Sequence, residues 1–424
     1  MGGFTLSKQT KLLKIKDDRL RFQMKSVKVK LYLKPRDSQY FIRQHAVIVL
    51  INDTNNRQVV HPITQFLFEN WKYREYNTQK IHANNLIQFL NWLLINQRQL
   101  RVSSLSDIQF KHATAFLNLL TREGKSRTTV MSIQRTLTQF YYYLSKKGLL
   151  AKITDQLFQK KSIPQLPNKK YVASPFKGVI LPSNGDSNIA HMIPEKYILP
   201  FIETVVRVAN PIALGVYIQF FGGLRQGELV NLRRTDVTSI GAFGEDGLIL
   251  KLRKNVLRPD LIDSSGAAGV KKERTQLVFP VNDWLQILYK NHLNTYKATD
   301  GSDALFVNRD GRAMSGRGYR YYFEKAKEAF LGLLKHSDDP KDKIAALKLR
   351  GYKWSTHIGR GIFTNLLAEE AQNPYDIALP RGDSSLSSSI VYQGNTLRMK
   401  ENLEARMNDL YKDYLPKLLG VRNQ

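Results

Sequence analysis

The period at which apolar residues recur changes along this 424-residue chain, and each change limits what it can fold into. Near the start the period is two. Val27-Lys28-Val29-Lys30-Leu31-Tyr32-Leu33 alternates apolar with mostly polar positions, and Ala46-Val47-Ile48-Val49-Leu50-Ile51 is an unbroken apolar run, the patterns of a half-buried and a buried strand. Asn52-Asp53-Thr54-Asn55-Asn56 is turn chemistry leading to a third strand. From about residue 64 the spacing becomes three and four. Leu86, Phe89, Leu90 and Leu93 share one face of a helix near 78–95, and Phe110, Phe116, Leu119 and Leu120 mark a second, with Ser106-Asp107 as its cap candidates. Val130, Ile133, Leu137, Tyr141 and Leu144 mark a third, entered from the polar loop 122–129 through a plausible N-cap. Residues 156–185 then hold five Lys, no acid, and Pro164, Pro167, Pro175 and Pro182, the composition of an extended, basic, semi-rigid connector. Helical spacing resumes at Ile193-Pro194-Glu195, with Pro194 suited to a first helical turn. There is no internal repeat. Such breaks predict two or three domains, each long enough to bury its own core.

Charge narrows the partners. Lys and Arg number 65 against 36 Asp and Glu, a net charge of +29. Residues 1–36 alone hold eleven Lys/Arg and two acids, the pattern of a basic arm. An excess of this size favours a polyanion, because each neutralised phosphate releases condensed counterions. A cationic solubility surface, a ribosomal role and an anionic membrane are the alternatives. No run of 18 or more apolar residues is present, so no transmembrane helix is expected, and Met1 to Lys8 has no signal-peptide character. The absence of cysteine excludes disulfides, thiolate zinc sites and a cysteine nucleophile. A cytoplasmic protein is expected.

Two short boxes in the last half carry chemistry. Arg225 stands in Gly223-Leu224-Arg225-Gln226-Gly227-Glu228-Leu229, followed by Leu232 and Asp236-Val237. His357 and Arg360 form a His-x-x-Arg within Trp354-Ser355-Thr356-His357-Ile358-Gly359-Arg360. Arginine suits phosphate because its planar fork donates two hydrogen bonds and keeps its charge. Glu228, three residues after Arg225, falls beside it on a helix and can orient it. His357 and Arg360, three apart at a helix start, would share one phosphate, and a histidine there can trade a proton near neutrality. Alone, the first box reads equally as a solvated helix end, and the histidine as a core or cap residue.

Together these boxes resemble those of the tyrosine recombinases, the phage integrase family, over roughly 193–395 and more loosely before it. The resemblance implies transesterification of DNA through a protein–DNA ester, with no cofactor and no metal. In it Arg225 and Arg360 clamp the charge on the phosphate, and His357 handles the proton of the tyrosine or hydroxyl. The family's lysine lies on a β-hairpin, here Gly247–Arg253 and Thr275–Pro280. Lys272, eight residues before Pro280, has the family's spacing, with Lys271 its adjacent alternative. It would protonate the leaving oxygen. Tyr392, 32 residues after Arg360, is the implied nucleophile; Asn373-Pro374 and Gly382-Asp383-Ser384-Ser385 lie in register between them. A phenol with a pKa of about 10 needs a base and nearby positive charge to attack. Gly361 stands where many relatives have a second histidine.

One position departs from the family. Asp383 occupies the place of a His or Trp that donates to the scissile phosphate, and an ionised carboxylate only accepts there and repels. Either Asp383 turns away to hold an arginine, or it is protonated, or the rate is reduced.

The expected architecture is a basic arm with short β strands (1–60), an all-α, SAM-like core-binding domain (61–155), the basic connector (156–190), a mainly α catalytic domain with a small β-sheet or hairpin (191–395), and a tail helix (396–424). Arg127, Lys160, Lys161, Lys169, Lys170 and Lys177 are the candidate DNA contacts outside the catalytic boxes. Leu403, Met407, Leu410 and Tyr414 form one stripe of the tail, which in the family packs into a neighbouring protomer and otherwise covers the chain's own core. Double-stranded DNA, bound by four protomers on two duplexes, is the implied partner. The extra strands and arm point to a mobile-element integrase or transposase. A type IB topoisomerase-like or resolvase-like enzyme shares the chemistry. A catalytically silent DNA-binding regulator is the reading that Asp383 favours, and an RNA-binding protein explains the charge but not the ordered boxes.

Overall fold

The computed structural model describes residues 20–32, 40–163, 166–183, 193–261, 269–270, 272–370 and 407. They divide into two compact units, 1–186 and 187–424.

The first unit opens with a three-stranded antiparallel sheet, β1 (Leu20–Tyr32), β2 (Tyr40–Asn52) and β3 (Arg57–Val60), with β2 central. The β1–β2 register runs from Leu20↔Asn52 to Tyr32↔Tyr40. The expected turn forms between β2 and β3: the Asn52 side chain accepts the Thr54 amide at 2.9 Å, and Asn55 accepts the Arg57 amide at 3.0 Å. β1 and β2 are 13 residues each, longer than the short strands expected, and Phe22, Ala46 and Ile48 share one core with the helices that follow.

Those helices are α1 (Thr64–Trp71), α2 (Tyr76–Ile95), α3 (Gln97–Leu100), α4 (Phe110–Arg122) and α5 (Arg127–Lys146). Asn91 of α2 pins β1 by accepting the Phe22 amide at 2.7 Å and donating to its carbonyl at 3.0 Å. Leu86, Phe89, Leu90 and Leu93 are buried with Val130, Ile133, Leu137, Tyr141 and Leu144, as their spacing predicts. Ser126 caps α5, accepting the Thr129 amide at 3.3 Å. Asp107 does not cap α4. It accepts the amides of Ser103 and Ser104 around a separate 3-10 turn, Leu105–Asp107, and α4 begins after Gln109.

The basic segment after α5 is more ordered than an extended connector. β4 (Lys160–Ile163) and β5 (Leu166–Val172) pair as a hairpin. Beyond it the chain lies along α4, where Thr114, Asn118 and Thr121, spaced four and three apart, donate to the carbonyls of Lys177, Gly178 and Ile180 at 3.1, 3.0 and 2.7 Å. Phe158 and Phe176 are buried against Phe110.

The second unit begins with a 3-10 turn, Glu195–Tyr197, and α6 (Ile198–Val208). Next comes α7 (Ala213–Gly222), whose ten residues are all buried. A short α8 (Gln226–Leu229) leads to an antiparallel sheet of β6 (Val237–Ile240), β7 (Gly247–Leu252) and β8 (Arg274–Val278), in that order. α9 (Trp284–Thr295), α10 (Gly316–His336), α11 (Pro340–Gly351) and α12 (His357–Glu370) complete it. Ser315 caps α10 by accepting the Gly318 amide at 3.0 Å, and Asp339 caps α11 by accepting that of Lys341 at 2.8 Å. α12 packs on α7, and α10 on α6 and α11. Met407 from the tail is buried in the core of this same unit. No helix of the described residues is long and apolar enough to cross a membrane.

Candidate active site

Arg225 precedes the first residue of α8, immediately after α7 stops. The stop is enforced by Gly223, whose φ of +67° is left-handed and where an added Cβ would lie 2.3 Å from Phe363 Cδ1. Only glycine satisfies both demands without displacing α12. Glu228 then turns back: it accepts the Arg225 amide at 2.8 Å and Arg225 Nη1 at 3.3 Å. Glu228 therefore lies beside Arg225, as the three-residue spacing predicts.

Arg360, one turn into α12, is 7% exposed, and its Nη1 donates to the Gly223 carbonyl at 2.7 Å. Its guanidinium thus reaches the backbone two residues before Arg225. His357 is exposed at the first position of the same helix. A buried polar lattice holds the two boxes together. Gln219 of α7 donates to the Thr356 carbonyl at 3.1 Å and accepts the Tyr319 hydroxyl at 2.8 Å. Gln226 of α8 donates to the Gly316 carbonyl and accepts from the Thr356 hydroxyl. Burial pushes the Tyr319 phenol well above its ordinary value, so it acts as a fixed donor. Close packing sets the last spacing, since a Cβ on Gly359 would lie 2.6 Å from Gln219 Cβ.

Lys272 is exposed just before β8, at the end of the hairpin loop. Both strands of that hairpin are fastened beside the loop. At the end of β7, Arg253 Nε donates to Asp236 at 2.8 Å, with Asp236 buried and Arg253 exposed. At the start of β8, Arg274 donates through Nη1 and Nη2 to the two oxygens of Glu228 at 2.7 and 3.1 Å. Arg274 is a residue that the sequence reading missed. Its side chain is 8% exposed and that of Glu228 1%. Burial alone would raise the Glu228 carboxyl, but hydrogen bonding and charge from Arg274, with the amide and charge of Arg225, outweigh it and hold Glu228 below its ordinary value.

Glu228 thus joins Arg225 to the strand that follows Lys272, and Arg360 joins it to the helix that begins with His357. Arg225, Arg274 and Arg360, from three separate stretches of sequence, are thus linked through Glu228 and the Gly223 carbonyl. Lys271, Asp383 and Tyr392 lie outside the described residues. Of the other candidate contacts, Lys160, Lys161, Lys170 and Lys177 are exposed in the first unit, and the Lys169 side chain lies outside the described set. Arg127 Nη1 donates to the Pro182 carbonyl at 3.0 Å, which fastens the chain beyond the hairpin. Among the described residues no group of three or more His, Asp or Glu is placed to hold a metal ion.

No protein-family model matches the chain, and no curated protein matches it. Solved structures do. A Tn1549 transposon integrase fragment in complex with a circular intermediate DNA superposes with a TM-score of 0.50 at 16% identity, covering 82% of this chain and 98% of that one. Lambda integrase bound to DNA gives 0.43 at 14% identity over 78% and 96% of the two chains. XerA recombinase gives 0.32 at 14% identity over 82% and 97%.

Proposed function

We propose that this chain, which has the tyrosine recombinase fold, is a site-specific DNA recombinase. The observation that carries the reading is the bond from Arg360 to the Gly223 carbonyl. It draws together two arginine boxes that the sequence marks independently, on a fold seen in a DNA-bound transposon integrase.

In the reaction, the Tyr392 phenol oxygen bonds to phosphorus as the bond from phosphorus to the 5′-oxygen breaks. This leaves a 3′-phosphotyrosyl ester and a free 5′-hydroxyl. Arg225 and Arg360 neutralise the non-bridging oxygens, where charge accumulates in the transition state. Lys272 gives the leaving oxygen its proton, and His357 handles the proton of the phenol or of the attacking hydroxyl. The 5′-hydroxyl of a partner strand then attacks the ester and releases Tyr392. One ester replaces another, so the balance needs no ATP. Four protomers on two duplexes are the assembly this chemistry uses, and integration or transposition of a mobile element is the role that fits.

The test is covalent trapping on nicked duplexes drawn from the DNA flanking the gene, comparing wild type with Tyr392→Phe. An SDS-resistant adduct that disappears in the variant is the expected result. Salt-sensitive binding at a mapped site with no adduct would replace this reading with a silent DNA-binding regulator, for which Asp383 is the motivating residue.

A further inference from the structure

The proposed chemistry leaves one buried ion pair unexplained. Arg274 is almost wholly enclosed, which is costly for a charge, and it spends both terminal nitrogens on a carboxylate that already belongs to Arg225. Stability alone does not call for such a pair, since apolar side chains of similar size commonly do as well. The distances suggest another use. Glu228 gives its shorter side-chain contacts, 2.7 and 3.1 Å, to Arg274, and holds Arg225 Nη1 at 3.3 Å.

We propose that Arg274 is a positioning residue: by occupying Glu228 it keeps that carboxylate from capturing Arg225, and so presents the Arg225 guanidinium to the phosphate. Resting on the recombinase reading, this gives Arg274 a part in the same reaction without contact with DNA. A carboxylate and a guanidinium left alone adopt a paired fork geometry. In that state Arg225 would face phosphate with its charge largely cancelled and its two best donors engaged. With Arg274 in place, Glu228 sits between two cations, the trio carries net charge +1, and the carboxylate orients Arg225 without neutralising it. The strand position matters as well. Arg274 opens β8, its Nε donates to Gln276 at 3.1 Å, and Lys272 lies two residues upstream, so the same bond fixes where the lysine loop ends.

The experiment measures the rate of adduct formation and the equilibrium DNA affinity on one nicked duplex. It uses the full chain as wild type, Arg274→Gln, Glu228→Gln, and the double variant. Arg274→Gln is expected to slow adduct formation on the order of 100-fold with affinity nearly unchanged, because the chemical step and not binding is affected. In the double variant the capturing carboxylate is gone, so a large part of the rate should return. A merely structural arginine would give the opposite, a double variant as slow as or slower than the single one. That result, or a wild-type rate in Arg274→Gln, overturns the proposal. If Arg274→Gln fails to fold, as judged by its melting transition, Arg274→Lys with and without Glu228→Gln makes the same comparison. Absence of an adduct in the wild type would instead overturn the recombinase reading.

Discussion

Arg360 and Gly223, 137 positions apart, are joined by a 2.7 Å hydrogen bond from guanidinium to peptide carbonyl. One end of this bond lies in a helix and the other at the left-handed residue that ends a different helix. The donor is therefore positioned by α12 and the acceptor by the stop of α7. Anything that shifts α12 over α7 moves Arg360 relative to Arg225.

Gly223→Ala is the simplest way to cause that shift. The left-handed backbone costs a non-glycine residue about 1 to 2 kcal/mol, and forcing a Cβ against Phe363 adds about 1 to 3 kcal/mol. A loss of about 2 to 5 kcal/mol is expected in denaturant unfolding of the second unit, with an unchanged slope. Gly332→Ala is the control: a Cβ there meets nothing within 4 Å and the site is inside α10, so it should be neutral or stabilising by up to about 1 kcal/mol.

Acid should destabilise the second unit in two steps. His292 is 2% exposed, and burial lowers its pKa from 6.5 to about 4. The unfolded chain therefore takes up a proton below 6.5 that the folded one refuses until about 4, and stability falls through that window. Glu228 acts lower down. Its folded pKa is below the ordinary 4.5, so its contribution is complete above 4.5 and is lost as pH falls through the folded value. Urea unfolding from pH 7 to 3 should show both steps. His292→Gln should flatten the first, and Glu228→Gln should reduce the second, to which Asp260, Asp300 and Asp342, held below their ordinary value by side-chain hydrogen bonds, also contribute.

What the sequence made legible follows from how local each signal is. Arg225 and Glu228 lie within one helical turn, and His357 and Arg360 within another, so spacing alone related them. Arg274 escaped because its partner is 46 residues away and its neighbours, Lys271, Lys272 and Glu273, make it look like part of a basic run. The β4–β5 hairpin escaped because lysine, proline and asparagine there read as a connector. Two signals could have revealed it: Phe158 and Phe176 flanking the basic stretch, and the polar row Thr114, Asn118, Thr121 spaced four and three apart along α4.

The leaving-group role proposed for Lys272 makes a prediction specific to one bond. On an ordinary phosphodiester, Lys272→Ala should slow adduct formation by about 100- to 10,000-fold, the usual worth of a general acid. With sulfur in place of the 5′-bridging oxygen the leaving thiolate needs no proton, since a thiol ionises near 8.5. The variant should then cleave at close to the wild-type rate. Lys271→Ala should show no such dependence on the bridging atom; if it does and Lys272→Ala does not, the general acid is Lys271.

The exposed lysines of the β4–β5 hairpin and the segment after it should appear in the salt dependence of DNA binding. Each cation resting on a phosphate displaces counterions and adds about 0.9 to the slope of log affinity against log salt. Lys160→Ala, Lys161→Ala, Lys170→Ala and Lys177→Ala should therefore each weaken binding at low salt and flatten that slope by about one unit, irrespective of sequence. Arg127 is expected to differ. Its guanidinium holds the Pro182 carbonyl, so Arg127→Ala should release the end of the segment laid along α4. The result should be a lower melting temperature of the first unit with a smaller change in slope than the lysines give. Equal changes in slope for Arg127 and the lysines, with no change in melting, would make Arg127 a phosphate contact like the rest.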